Sequence, residues 1–64
     1  MKVNLKTLRT NEKLTQAMAA EKIGISLDYV KAIESGRKSP SLKTIQKIAD
    51  AFGCKSLDEV LQAS

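Results

Sequence analysis

Apolar residues recur along this chain three or four positions apart, which is the spacing of one face of an α-helix, and no strand-like alternation lasts five residues. The pattern predicts helices over roughly residues 3–12, 16–23, 27–35 and 42–52. A short fifth helix is predicted to carry Leu57, Val60 and Leu61. Five short helices joined by tight connections indicate a compact all-α domain.

The apolar positions also predict which side of each helix is buried. The third helix has Val30 and Ile33 inward. The positions predicted to point away from the core are Asp28, Lys31, Ala32 and Ser35. The fourth helix has the longest apolar stripe, formed by Leu42, Ile45, Ile48, Ala49 and Phe52. The predicted core of the first two helices is Leu5, Leu8, Ala20 and Ile23.

The predicted helix ends coincide with residues that start or stop helices. Thr15, Ser26 and Ser41 each precede a helical stretch and are good N-caps, because their hydroxyls accept from backbone N–H groups of the first turn. Gly24 and Gly53 follow helical stretches, where glycine readily takes the left-handed conformation that ends a helix. The helical pattern resumes three residues after Gly24, so a very short turn joins the second and third helices.

Two helices joined by a short turn that contains glycine form a helix-turn-helix. So tight a turn makes the helices cross steeply, which requires a small residue where they approach and an apolar one that holds the angle. Ala20 and Val30 meet these two requirements on either side of Gly24. A third helix of about nine residues is roughly 13 Å long, and a DNA major groove about 12 Å wide admits such a helix.

The charge of the chain is basic and unevenly placed. Its 64 residues include 11 lysines and arginines against 7 acids, which gives a net charge of +4. Most of the excess lies in two clusters, which are Lys2, Lys6, Arg9 and Lys13, and Arg37, Lys38, Lys43 and Lys47. Such clusters favour a polyanionic partner, although solvated surface lysines would give the same charge. The length indicates one domain, residues 1–64.

The sequence lacks the residues that several classes of activity need. The sequence has no histidine, a single cysteine, no phosphate-binding loop and no cluster of metal ligands. We therefore expect no catalytic residue, cofactor, metal or small-molecule ligand, and we predict that the protein is not an enzyme. Because the first residues, MKVNLKTLRT, contain no long apolar run, we expect neither a signal peptide nor a membrane span, and a cytoplasmic location.

The segment LRTNEKLTQAMAAEKIGISLDYVKAIESGRKSPSLKTIQKIADAFG resembles the Cro/repressor-type (XRE-like) helix-turn-helix domains of phage and bacterial regulators. The matching residues are Leu8-Arg9, Leu14-Thr15-Gln16, Ala20, Gly24-Ile25-Ser26, Tyr29-Val30, Ile33-Glu34, Gly36, Pro40-Ser41-Leu42, Ile48-Ala49 and, beyond the segment, Ser56-Leu57-Asp58-Glu59. The resemblance covers nearly the whole chain and is far more specific than a glycine turn alone. It implies a compact five-helix, lambda-repressor-like DNA-binding domain whose second and third helices form the helix-turn-helix.

The resemblance also implies which residues contact DNA. The third helix would lie in the major groove, with base contacts from Leu27, Asp28, Lys31 and Ala32. Phosphate contacts would come from Thr15, Gln16, Arg37, Lys38, Ser39 and Lys43, and from backbone amides at the starts of helices two and four. Tyr29 lies between the two faces of its helix, and it either packs in the core or offers its hydroxyl to a phosphate. Three of these residues also have a simpler interpretation that remains open. Gln16 would serve only as a residue that favours the first turn of a helix, and Lys31 and Lys43 would serve only as solvated surface residues.

An internal ion pair between Arg9 and Glu34 is implied as well. Glu34 follows Ile33 on the inner edge of the third helix, where a partly buried carboxylate needs a cation and arginine can pair with it bidentately. Arg9 is therefore expected to be structural rather than a DNA contact. Two residues depart from the family. Ala19 replaces a larger aliphatic residue, and Asp28 places an acid toward the groove, where it would accept from a cytosine amino group or disfavour other sequences.

The function implied is that of a sequence-specific transcriptional regulator that binds double-stranded DNA, a phage- or plasmid-type repressor of bacterial or phage origin that is associated with the nucleoid. A homodimer on an operator is expected, with Leu57, Val60 and Leu61 as a candidate contact surface. The alternative is an antitoxin or another interaction module whose main partner is a protein. Salt dependence separates the two, because binding through several phosphates weakens steeply as salt rises and binding to a protein need not.

Overall fold

The fold is described by a computed structural model for residues 2–62, with side chains described for residues 3–61. Its four α-helices are α1 (Leu5–Asn11), α2 (Gln16–Ile23), α3 (Leu27–Ser35) and α4 (Leu42–Ala51). A 3-10 helix (Leu57–Glu59) and two short strands, β1 (Lys2–Val3) and β2 (Leu61–Gln62), complete this part of the chain. The predicted all-α domain is confirmed as a compact helical fold with four α-helices, whereas the two short strands were not predicted. None of these helices is long and apolar enough to cross a membrane.

The predicted fifth α-helix is reduced to the 3-10 turn of Leu57–Glu59. The start of the turn is capped by the Glu59 carboxylate, which accepts from the backbone N–H of Ser56 at 3.2 Å and from that of Lys55. Helical hydrogen bonding then stops, because the carbonyl of Val60 accepts from the N–H of Asn4 at 2.6 Å. The chain continues as a strand, so the predicted count of five α-helices is not confirmed.

The two strands pair antiparallel, with Lys2 opposite Gln62 and Val3 opposite Leu61. Two residues in each strand are too few to show an alternating pattern, which is why the sequence did not predict them. Because Val3 belongs to a strand, α1 begins at Leu5 rather than near residue 3. The pairing brings the two ends of the described chain together.

The core lies where the four helices and the 3-10 turn meet. Leu5, Val30, Ile48 and Val60 have no exposed surface. Ala19 has none either, and the other buried apolar residues are Ala20, Ile23, Ala32, Ile33 and Ala49. The prediction that Leu42 points inward is wrong, because this side chain is 63% exposed. It lies roughly 120° around α4 from Ile48, at the edge of the apolar stripe.

The turn between α2 and α3 depends on the conformation of Gly24. Its φ is +90°, in the left-handed region. The N–H groups of Gly24 and Ile25 both donate to the carbonyl of Ala20, at 2.8 and 3.0 Å, so the end of α2 is satisfied. The hydroxyl of Ser26 then accepts from the N–H of Tyr29 at 3.1 Å and caps α3. The bounds of α2 and α3 are those predicted.

We expect Gly24→Ala to lower the free energy of unfolding by about 1–2 kcal/mol, because a residue with a Cβ is strained at a positive φ. A Cβ at this position meets no atom within 4 Å, so backbone strain rather than a clash is the cause. Gly24→Asn should lose less, since asparagine tolerates the left-handed conformation. Urea unfolding followed by circular dichroism measures both, and equal losses would contradict this explanation.

Candidate nucleic-acid interface

The first two turns of α3 present an open helical surface. Leu27, Asp28 and Lys31 are exposed there, and Leu27 is 37% exposed although it is apolar. Asp28 lies in the first turn of the helix, where the positive end of the helix dipole favours an acid. Three of the four residues predicted to contact bases therefore share one accessible surface.

The fourth predicted base contact, Ala32, lines the cleft beside Asp28 but is nearly buried there. The prediction that it points away from the core is wrong, because the residue is only 3% exposed. The chain after α3 folds back over this turn, since the carbonyl of Ala32 accepts from the N–H groups of Arg37 and Lys38 at 2.9 and 3.3 Å. Ala32 thus has almost no side-chain surface to offer to a base.

Tyr29 packs against the core with its ring half-buried, and its hydroxyl lies 3.5 Å from the Thr44 hydroxyl of α4. Thr44 is itself nearly buried and lies 3.1 Å from the hydroxyl of Ser41, the residue that caps α4. Tyr29 therefore links α3 to the first turn of α4. The sequence reasoning missed Thr44, although a threonine three residues after a capping serine was the available signal.

Arg9 and Glu34 form a bidentate ion pair between α1 and α3. Arg9 Nε donates to Glu34 Oε2 at 2.7 Å and Arg9 Nη2 donates to Glu34 Oε1 at 2.9 Å. Arg9 Nη1 also donates to the carbonyl of Leu14 at 3.0 Å, in the connection before α2. The two charged side chains are 13% and 6% exposed. The pair therefore fixes α1, the connection before α2, and α3 relative to one another.

This contact stabilises the charged form of both residues. The hydrogen bonds from Arg9 hold the pKa of Glu34 below its usual range, although burial of the carboxyl acts in the opposite direction. The same contact raises the pKa of the Arg9 guanidinium. Gln16, predicted as a phosphate contact, is also held here, because its Nε2 donates to Glu34 Oε1 at 3.2 Å. The ion pair thus positions an amide side chain at the start of α2.

Free basic side chains lie beside α3. Arg37, Lys38 and Ser39 are exposed in the loop after this helix, and they line an open cleft together with Asp28 and Tyr29. Lys43 is exposed in the first turn of α4. The ion pairs among residues 3–61 use none of these three basic side chains. Their charges are therefore available to an anionic ligand.

The starts of α2 and α4 are capped by exposed hydroxyl residues. Thr15 Oγ1 accepts from the N–H of Met18 at 3.1 Å, and Ser41 Oγ accepts from the N–H of Thr44 at 3.2 Å. The remaining N–H groups of each first turn give these ends a partial positive charge. A phosphate contact at either end stays a prediction.

Within residues 2–62, no three side chains of histidine, cysteine, aspartate or glutamate lie together as metal ligands. Cys54 is half-buried, and its burial raises the pKa of the thiol. The arrangement of an open helix, a basic loop and two capped helix starts suits the binding of an extended anion.

A family model described as helix-turn-helix matches residues 5–60. The chain belongs to this helix-turn-helix family. The resemblance to such domains stated from the sequence is thereby confirmed. The match extends from α1 through the 3-10 turn and so includes every element that forms the surface around α3.

Named relatives of this helix-turn-helix protein come from an archaeon and from phages. An uncharacterized HTH-type transcriptional regulator of Methanocaldococcus jannaschii is 47% identical over 58 residues, which are 91% of this chain and 88% of that protein. The immunity repressor of Bacillus phage phi105 is 43% identical over 77% of this chain. The cryptic phage CTXphi transcriptional repressor RstR, from Vibrio cholerae, is 48% identical over 72% of it.

The alignments with the two phage repressors cover only part of those proteins, 34% and 40% of their lengths. The archaeal regulator, in contrast, is matched over most of its length. The predicted bacterial or phage origin of the chain stays a prediction, because its relatives come from archaea as well as from bacteria and phages.

Proposed function

We propose that this helix-turn-helix protein is a transcriptional regulator that binds double-stranded DNA sequence-specifically and represses by occupying an operator. The observation that carries the proposal is the open surface of α3, where Leu27, Asp28 and Lys31 are exposed beside a loop of free basic residues. The names of the relatives, which are transcriptional regulators and phage repressors, support the same role. They give no support to the alternative of a module whose partner is a protein.

Contacts to DNA phosphates and contacts to DNA bases have different roles. Arg37, Lys38 and Lys43 neutralise phosphates, which supplies affinity for any duplex and makes binding sensitive to salt. Lys31 donates to guanine acceptors in the major groove, and Asp28 accepts from a cytosine amino group. Leu27 offers an apolar surface that suits a thymine methyl group. Sequence preference thus comes from α3 and affinity from its basic surroundings.

The regulator is proposed to act as a homodimer with a lambda-repressor-like fold, on two half-sites about one helical turn of DNA apart. The contact surface predicted from Leu57, Val60 and Leu61 needs a correction, because Val60 is fully buried within one copy. Leu57 and Leu61 are half-buried and remain available for a contact between two copies. DNA binding also assigns the protein to the compartment that holds the DNA.

Selection of bound duplexes from a random pool, followed by sequencing, tests the proposal. We expect an enriched motif made of two related halves and an affinity that falls steeply between low and physiological salt. The absence of any enriched motif, together with binding that salt does not weaken, would overturn the assignment. A motif without two-fold symmetry would overturn only the dimer.

We expect Lys31→Ala to change which operator bases are preferred, with a loss of discrimination of about 1–3 kcal/mol at one position. Lys43→Ala should instead weaken binding to all sequences about equally and reduce the salt slope by about one. Both lysines are exposed, so each variant should fold normally. Fluorescence anisotropy with operator and random duplexes measures the difference. Equal losses on both duplexes for Lys31→Ala would contradict its role.

A further inference from the structure

A second cleft lies between the start of α1 and the loop that follows α3, with a volume of about 470 Å³. Lys6 and Thr7 line it from the side of α1, and Lys38 and Ser39 line it from the loop. Lys38 and Ser39 also line the cleft beside α3. The two clefts therefore meet at this loop. The exposed surface around α3 continues onto α1, beyond the residues predicted to contact DNA.

The second cleft is positively charged and rich in hydrogen-bond donors. The side chains of Lys6 and Lys38 are exposed, and neither takes part in an ion pair or a side-chain hydrogen bond with another described side chain. Glu34 is the only acid in its lining, and the side chain of Glu34 is 6% exposed with both oxygens bonded to Arg9. Arg9 therefore compensates most of its negative charge, and Lys6 adds only a weaker attraction.

We propose that this second cleft binds a phosphate of the DNA backbone between Lys6 and Lys38, which makes Lys6 a DNA contact that lies outside the predicted set. The inference rests on the proposed function, because the phosphate belongs to the duplex that α3 contacts. Each strand carries one phosphate about every 3.4 Å along the helix axis. A DNA strand with one phosphate at Lys38 therefore has further phosphates on either side. Because Lys38 and Ser39 line both clefts, the next phosphates along the strand can reach Lys6.

The test compares Lys6→Gln with Lys55→Gln as a matched control. Both variants remove one exposed lysine and one unit of charge, but Lys55 lines a separate cleft beside Cys54 and Leu57. Fluorescence anisotropy over a series of salt concentrations gives the affinity and the salt slope on operator and random duplexes. Thermal unfolding of both variants checks that neither is destabilised.

Lys6→Gln is expected to weaken binding about fivefold near 0.1 M salt on both duplexes and to reduce the salt slope by about 0.9, which is the loss of one phosphate contact. Lys55→Gln should leave the slope unchanged. Identical slopes for the two variants would overturn the role of Lys6 and leave the proposed function standing. Failure of the unsubstituted protein to bind any duplex would instead overturn the proposed function.

A second measurement distinguishes the duplex from free phosphate. Amide signals of Lys6, Thr7 and Lys38 should shift when duplex is added at low salt. Millimolar inorganic phosphate at the same ionic strength should leave them unmoved, because a single site with two lysines holds a lone anion weakly. Shifts with inorganic phosphate and none with duplex would overturn the assignment to the DNA backbone.

Discussion

Glu34→Ala is expected to lower the free energy of unfolding by about 2–4 kcal/mol, because it leaves a largely buried Arg9 guanidinium without its partner. Arg9 is 13% exposed, and the substitution removes the acceptors of two of its hydrogen bonds. Gln16 loses its acceptor as well. A domain of this length has a total stability of only about 3–10 kcal/mol, so the loss is a large fraction of it.

Glu21→Ala is the matched control for this prediction. It removes the same charge from an exposed position on α2 and should change stability by no more than about 0.5 kcal/mol. Urea unfolding followed by circular dichroism at pH 7 compares the two variants. Equal losses would mean that net charge, rather than the buried pair, explains the effect of Glu34.

The difference between the wild-type protein and Glu34→Ala should also depend on pH. The pKa of Glu34 is lowered in the folded state, so its contribution to stability is fully present above the ordinary pKa of about 4.3. That contribution is lost as the pH falls through the lower pKa of the folded protein. The two stability curves should therefore converge in acid, and a constant gap down to acidic pH would contradict a charged pair.

Ile48→Ala is expected to lower the free energy of unfolding by about 2–5 kcal/mol, because it removes a fully buried side chain and leaves a cavity. Ile48 belongs to the same buried cluster as Val30 and Ile33, the two residues that hold α3 on the domain. The apparent DNA affinity of the variant should therefore fall in proportion to its folded fraction as the temperature is raised. Thermal unfolding and anisotropy on the same samples measure the two effects.

Leu42→Ala provides the comparison within the same helix. The leucine is 63% exposed, so its removal should change stability by less than about 0.5 kcal/mol and leave no cavity. A loss as large as that of Ile48→Ala would contradict its exposure. The pair of variants thus separates burial from the mere presence of an apolar residue in α4.

The helix-turn-helix was predictable because local signals agree there. Thr15 and Gly24 fix the two ends of α2 and Ser26 fixes the start of α3, through hydrogen bonds that involve only neighbouring residues. The ion pair joins residues 25 positions apart, and its prediction came from the family resemblance rather than from charge patterning. Base and phosphate contacts stay predictions, because they depend on a partner molecule.

The wrong predictions concern contacts that lie outside the helical periodicity from which they were made. Ala32 was placed outward by a helical wheel, which contains no information about the loop that folds back over it. Leu42 was placed inward for its hydrophobicity, whereas Thr44 takes the buried position in that turn through hydroxyl contacts. Residues 57–61 were expected to be helical because Ser56 and Glu59 have the spacing of a capping box, which favours the start of a helix. The hydrogen bond from Asn4 to Val60 ends the turn, and only the folded chain brings these residues together.

The pairing of β1 with β2 has a consequence for engineering. Lys2 lies directly opposite Gln62, so the first and last strands leave the domain side by side, with Cα atoms about 5 Å apart as in any antiparallel pair. Segments attached before Lys2 and after Gln62 would start from one small area and compete for space. A linker of a few residues from Gln62 to Lys2 should give a circular permutant that is opened elsewhere in the fold.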